Sequence, residues 1–250
     1  MPVLSMPEGV PSGLTLYTTD KDATAEFFSQ VMGYGLDERE EGTFLTLESI
    51  PIATLAPADF DAWSVGFNVT DLADAHDQIT REGGTVLSDS QCLDPAGAPF
   101  SVITGEHFFA VGEPGTPVWF EYAGPTPEVD FFSTLFGWVI DGPNEAIRVA
   151  YKEGGAIGWF WEIPSEPKNN WVVYFGVENL EETLAKVDES LIVQETQESF
   201  LGPTAVVATP TGLTVCLAQV PYADIEEETI HESAEPVSYT HLRAHETPEH

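Results

Sequence analysis

Basic residues are what this 250-residue chain has least of: eight lysines and arginines stand against 42 aspartates and glutamates, a formal net charge of −34. A surface of that sign repels nucleic acid and anionic membranes, and it leaves few guanidinium groups to grip a phosphate or carboxylate substrate. Two cysteines, Cys92 and Cys216, are too few for a disulfide framework, and no Cys-x-x-Cys occurs. A reducing, cytoplasmic setting is therefore expected. No run of eighteen apolar residues exists, which argues against a helical membrane span. Residues 1–12 carry neither a basic residue nor an apolar core, so they do not read as a secretory leader. The acidic excess reads as a solvated shell that favours solubility, as a saline habitat would also demand.

What the chain does contain is apolar content of 42% and aromatic content of 11%, enough for packed cores. The stretch from Trp171 to Glu189 shows how they are built. Trp171, Val173, Phe175 and Val177 alternate, as one face of a strand does, and Leu180, Leu184 and Val187 then recur at helical spacing. Asn179 stands at the switch, a residue type that caps helix N-termini. The same strand-to-helix unit, followed by further strands, starts near residues 14, 63, 118 and 171. Trp63, Val65, Phe67, Val69 and Leu72 align without a gap on Trp171, Val173, Phe175, Val177 and Leu180. Phe27-Phe28-Ser29 with Gly33 likewise aligns on Phe131-Phe132-Ser133 with Gly137. Repetition at this length marks a duplicated domain.

The expected organisation is a lead-in over 1–11, a first domain over 12–115 (modules 12–62 and 63–115) and a second over 117–220 (modules 117–165 and 170–220). The fold class is α+β, four βαβββ modules. The second module is expected to end in a strand over 108–111. Residues 221–236 form an acidic tail. Val237-Ser-Tyr-Thr-His-Leu-Arg-Ala-His-Glu-Thr247 is what an in-frame transposon-end sequencing adapter would encode, so 237–250 is read as translated adapter. That reading removes His231, His241, His245 and His250 from any metal-binding interpretation.

Trp119-Phe-Glu-Tyr122, Phe131-Phe-Ser-Thr-Leu-Phe-Gly-Trp138, Trp171-Val-Val-Tyr-Phe-Gly-Val177 and Pro210-Thr-Gly-Leu213 together resemble the glyoxalase / vicinal oxygen chelate superfamily. The closer likeness is to its tandem two-domain branch, with the mycobacterial 27-kDa antigen-type proteins and bleomycin resistance-like relatives. The resemblance implies that paired modules curl into half-open barrels, each around a cavity. It also implies that catalytic relatives hold a divalent metal with His, Gln or Glu from the first and last strands of paired modules. Here those first-strand positions read as Gly13, Ser64 and Val172, with the third module's between Trp119 and Glu121. The final strands read as 52–55, 108–111, 157–160 and 214–217. Among these positions only Glu121 offers the expected carboxylate or imidazole, so no metal or other cofactor is expected unless a displaced site uses it.

Glu121 is the best single candidate for chemistry, as a metal ligand, a general base or a partner to a polar ligand group. Glu48 is a weaker case. Tyr17, Tyr122, Trp159, Trp161 and Tyr174 are strand aromatics that suit the wall of a cavity for a flat or apolar organic molecule. His76 and His107 read as surface residues, and Cys216 as a small buried hydrophobe. Three functions follow. The first is a pocket protein that binds a small organic molecule without the usual metal. The second is a glyoxalase-, dioxygenase- or isomerase-type enzyme with a displaced metal site. The third is a non-catalytic interaction protein. Pairing of the two domains within one chain permits a monomer, and a homodimer is the alternative.

Overall fold

The computed structural model describes residues 7–105 and 109–221. His107, read above as a surface residue, the acidic tail beyond residue 221 and the adapter-like segment lie outside the described residues. Four modules follow in order. The first is β1 (Pro11–Thr18), α1 (Lys21–Met32), β2 (Gly35–Arg39), β3 (Gly42–Leu47) and β4 (Ile50–Pro57). The second is β5 (Ala62–Asn68), α2 (Leu72–Arg81), β6 (Thr85–Val86), β7 (Gln91–Leu93) and β8 (Pro99–Ile103). The third is β9 (Pro117–Gly124), α3 (Val129–Phe136), β10 (Val139–Asp141), β11 (Ile147–Lys152) and β12 (Gly155–Glu162). The fourth is β13 (Asn170–Val177), α4 (Leu180–Leu184), a 3₁₀ turn (Glu189–Leu191), β14 (Ile192–Ser199), β15 (Gly202–Ala208) and β16 (Thr214–Gln219).

Local chemistry explains most of these boundaries. The side chains of Asp20, Asp71 and Asn179 each accept a bond from a first-turn N–H of α1, α2 and α4, which satisfies donors that a helix start otherwise leaves unpaired. Gly33 and Gly137 close α1 and α3 in the left-handed conformation, with φ of 74° and 62°. That conformation costs a residue with a Cβ, so the repeated glycines mark the same helix stop in two modules.

In each module the last strand runs parallel to the first: β1 with β4, β5 with β8, β9 with β12 and β13 with β16. The first strands then pair antiparallel, β1 with β5 and β9 with β13. Each half is thus a curved sheet of eight strands, and the halves meet where Trp63 of β5 stands opposite Trp171 of β13. The helices cover the outer face of each sheet. They also lean across the join, α1 packing near α4 and α2 near α3.

The strand alternation anticipated from Trp171 is what fills this join. Phe28, Trp63, Tyr34 and Phe175 form one set of ring contacts with centroids 5.6–6.4 Å apart. Phe67, Phe100, Tyr122, Phe132 and Trp171 form another. Polar ends of buried aromatics tie the halves together as well. Trp63 Nε1 donates to the Thr214 carbonyl at 3.1 Å, Tyr34 OH to the Gly115 carbonyl at 2.9 Å and Trp138 Nε1 to the Gly9 carbonyl at 2.8 Å. The last of these also shows that the described part of the lead-in is packed, and Pro11 already belongs to β1.

One expected strand is corrected. Residues 109–111 lie in no strand, and the second module ends instead at β8, which completes the parallel pair with β5. β7 is only three residues long between Ser90 and Asp94, too short for alternation to declare it. β2 and β10 were also unannounced; both are outer strands, β2 exposed on both faces and β10 exposed at Val139 and Asp141.

Phe132 has no exposed surface and sits at the centre of the second ring set. Replacing it with alanine is expected to cost about 3–5 kcal/mol in urea unfolding. A loss below about 1 kcal/mol would show that the join is not packed as described.

Candidate functional site

Because the helices occupy one face of each sheet, alternation sends every second residue of the central strands to the inner face of the half-barrel. In the second half the register brings five of these side chains together. Trp159 of β12 stands beside Glu121 of β9. Val172 of β13 faces Glu121 across the antiparallel pair, and Tyr174, two residues on, stands beside Cys216 of β16. Glu121 is 4% exposed. Its Oε2 accepts the Trp159 indole N–H at 2.6 Å and the Tyr174 hydroxyl at 2.9 Å, while its Oε1 makes no hydrogen bond among the described residues. Trp119, two residues before Glu121 on the same face, is 8% exposed, and its Nε1 is buried with no partner.

Phe200, from the turn between β14 and β15, closes over this group. Its ring lies 4.3 Å from that of Trp159 and 5.1 Å from that of Trp119, yet it is 54% exposed. Trp161 continues the same face of β12 and is 39% exposed. Aromatic rings thus surround one buried carboxylate, and the outer members of the group, Phe200 and Trp161, reach solvent.

The electrostatics follow from burial. Desolvation pushes the Glu121 carboxyl above its ordinary value, and the two donated hydrogen bonds pull it back without cancelling that effect. No lysine, arginine or histidine among the described residues acts on it. Burial, then the Glu121 charge, raises the Tyr174 hydroxyl, so it remains a donor. Burial pushes the Cys216 thiol up to about 12, with the Glu121 charge adding to it. Cys216 is buried, as its strand position suggested, and its protonated thiol lies near Tyr174 and Glu121. A low-pKa nucleophilic thiolate is excluded by the same environment.

The remaining sequence candidates fall elsewhere. Tyr122 is corrected: it points to the outer face, fully buried against Phe132, Phe160 and Trp171, with its hydroxyl donated to Asp94. It neighbours Glu121 in sequence, and adjacent strand residues point to opposite faces. Tyr17 lies in the first half, half-buried against Phe60 at 5.3 Å, and does not join the Glu121 group. Glu48 is exposed in a turn with φ of 49°. His76 Nε2 lies 3.1 Å from the Asp89 carbonyl at the surface. Trp119, Phe200 and the polar setting of Cys216 were missed. Trp119 shares the alternation of Glu121 and was readable from it, whereas a turn residue such as Phe200 carries no periodicity.

The first half offers a different inner face. Thr15 stands between Thr54 and Ser64, and Gly66 beside Ser101, so the register of Glu121, Trp159, Val172, Tyr174 and Cys216 is filled by small residues. Thr15 thus takes the place that sequence spacing had given to Gly13, which is paired with Gly66. Ser64 Oγ and Ser101 Oγ hydrogen-bond at 3.0 Å.

A divalent ion is the group that the fold implies at this point, and the donor chemistry here does not suit one. The Trp159 indole nitrogen has no lone pair to give, Val172 has no donor, and Glu121 Oε2 already accepts two bonds. No group of three or more His, Cys, Asp or Glu side chains placed to hold a metal occurs among the described residues.

Desolvation of Glu121 sets a sign for stability against pH. A carboxyl raised on folding binds its proton more tightly in the folded state, so its contribution is full below about 4.5 and is lost as pH rises through the folded value. Glu121→Gln keeps the acceptor for Trp159 and Tyr174 and removes the charge. The variant is expected to melt roughly 2–4 °C above the parent at pH 8, with the difference shrinking towards pH 4.5. A pH-independent difference would contradict the assignment.

No protein-family model matches the chain. The curated proteins give “Putative glyoxylase CFP32” of Mycobacterium tuberculosis and its Mycobacterium bovis counterpart, each 26% identical over 242 residues, covering 82% of this chain and 92% of the relative. Among solved structures, the 2,3-dioxygenase LapB from Pseudomonas sp. KL28 superposes with a TM-score of 0.61 at 15% identity, over 87% of this chain and 94% of that one. The Mn(II)-bound glyoxalase from Novosphingobium aromaticivorans gives 0.63 at 13% identity, over 85% and 82%. Such identities carry the fold and not the activity. In sequence and in fold, along most of its described length, the chain resembles the glyoxalase / vicinal oxygen chelate superfamily in its tandem, glyoxalase-like form.

Proposed function

We propose that the chain binds a small organic molecule on the inner face of its second half, with Glu121 as the polar anchor and no metal ion required. The observation that carries this reading is a buried Trp119 Nε1 donor with no partner, on the same strand face as a carboxylate that Trp159 and Tyr174 hold through one oxygen only. Buried polar groups in native proteins are nearly always paired. A buried donor left open on the strand face that carries Glu121 is what an acceptor on a ligand would satisfy. Trp159 and Tyr174 hold the carboxylate from one side only, which fixes its orientation and leaves the second oxygen for the ligand.

One observation favours an enzyme instead. The Glu121 carboxyl is raised by burial and lies beside the Tyr174 hydroxyl, an arrangement suited to taking a proton from a bound substrate. The relatives named above include a manganese-bound glyoxalase, so a metal-dependent reaction is the form that this alternative takes. The third function, a purely interacting protein, has no comparable observation behind it.

A thermal-shift screen against small aromatic amines, alcohols and acids should yield ligands that raise the melting temperature and alter tryptophan emission. Trp159→Leu is expected to remove those shifts. A complete absence of shifts would overturn the binding reading. Protein purified without a polyhistidine tag is expected to carry less than about 0.1 divalent ion per chain. A stoichiometric ion that supports turnover would establish the enzymatic alternative.

A further inference from the structure

Glu121 is buried without a cation. Charged side chains are seldom buried unless they are paired, yet nothing basic among the described residues reaches this one. Both ion pairs among the described residues, Lys21–Glu38 at 2.7 Å and Arg39–Asp37 at 2.8 Å, lie in the first module. The Trp159 and Tyr174 hydrogen bonds share the charge of Glu121 and do not neutralise it. Around the carboxylate stand the rings of Trp119, Trp159, Tyr174 and Phe200, with Trp161 next along β12. Three of the chain's six tryptophans thus line one face of two adjacent strands.

From this juxtaposition of an unpaired buried carboxylate and an aromatic wall we infer that the ligand is an organic cation, an amine or quaternary ammonium whose charged nitrogen lies against Glu121. This deepens the binding reading above and rests on it. Ring faces attract a positive charge through their quadrupole, most strongly for tryptophan, and the attraction grows when the cation is desolvated. The carboxylate supplies the larger share, because an ion pair inside a site sheltered from water is screened far less than one at the surface. The Trp119 indole N–H would then meet an acceptor on the same ligand, such as a hydroxyl or carbonyl oxygen two or three bonds from the nitrogen. The net charge of −34 favours this class before contact, by concentrating cations at the surface and speeding their encounter. An anionic ligand faces the opposite field and finds no basic group here to offset it.

The experiment compares shape-matched probes by calorimetry and tryptophan fluorescence at 150 mM salt: benzyltrimethylammonium, its neutral isostere neopentylbenzene, and benzoate. The cation is expected to bind at least about tenfold more tightly than the neutral isostere, with benzoate weaker than both. Glu121→Gln should abolish that preference. Trp161→Ala, at a half-exposed position whose truncation spares the core, should weaken the cation severalfold. If the neutral probe binds as tightly as the cation, or if Glu121→Gln leaves the preference intact, the cation inference falls while the binding reading stands. Binding of the cation to both proteins alike would mark mere attraction to the acidic surface and would also overturn it. Failure of every probe, together with failure of the aromatic screen, would remove the binding reading itself.

Discussion

The constraint on which the structure depends is that each central strand serves two packings at once. β5, β9 and β13 are buried along nearly their whole length, so alternate residues must satisfy the helices on one side and the half-barrel interior on the other. On the outer side the requirement is volume. Trp63, Phe67, Tyr122, Trp171 and Phe175 fill the join between the halves with rings, and a lost ring leaves a void that these neighbours cannot close. On the inner side the requirement is lighter, and there the two halves diverge. The first half carries Thr15, Thr54, Ser64, Gly66 and Ser101. The second carries Glu121, Trp159, Val172, Tyr174 and Cys216 at the same register positions. A duplicated scaffold has thus kept its packing face and changed its chemical face.

That division leaves one buried carboxylate on the inner face of the second half. A carboxylate placed where neighbouring strands converge has lost much of its hydration, and hydrogen bonds to a charged group contribute only about 1.5–3 kcal/mol each. Two such bonds do not offset the desolvation that raises the Glu121 carboxyl. Stability surrendered at one position, with partners that orient the group, is typical of positions kept for binding or reaction. Asp94 is an instructive contrast. It too is raised by burial, but Tyr122, Ala98 and neighbouring backbone groups enclose it, and it serves to fasten the two halves.

Much of the architecture was legible because it is written in periodicity. The switch from alternation to helical spacing at Asn179, the paired glycines Gly33 and Gly137, and the matched Trp63 and Trp171 all reflect local rules that tertiary contacts do not override. Short or outer strands were less legible. β7 has three residues and β10 likewise three, and pairing partners distant in sequence decide whether such segments extend. The candidate site was legible in part. Alternation singled out Glu121 and, through Trp159 and Tyr174, its two hydrogen-bond donors. It also drew in Tyr122, where sequence adjacency suggested proximity but the strand geometry sends the ring to the opposite face. Phe200 was beyond reach, because its place over Trp119 and Trp159 is fixed by a hairpin turn and not by a pattern.

The central claim, that Glu121 is a desolvated carboxyl without a counter-cation, is tested most directly by carbon-13 NMR titration of labelled glutamate carboxyls, with Glu121 assigned by its absence in Glu121→Gln. A midpoint clearly above the ordinary value of about 4.5 is expected for the ligand-free protein. A midpoint at or below that value would mean that the carboxylate is hydrated or paired, and would contradict the site described.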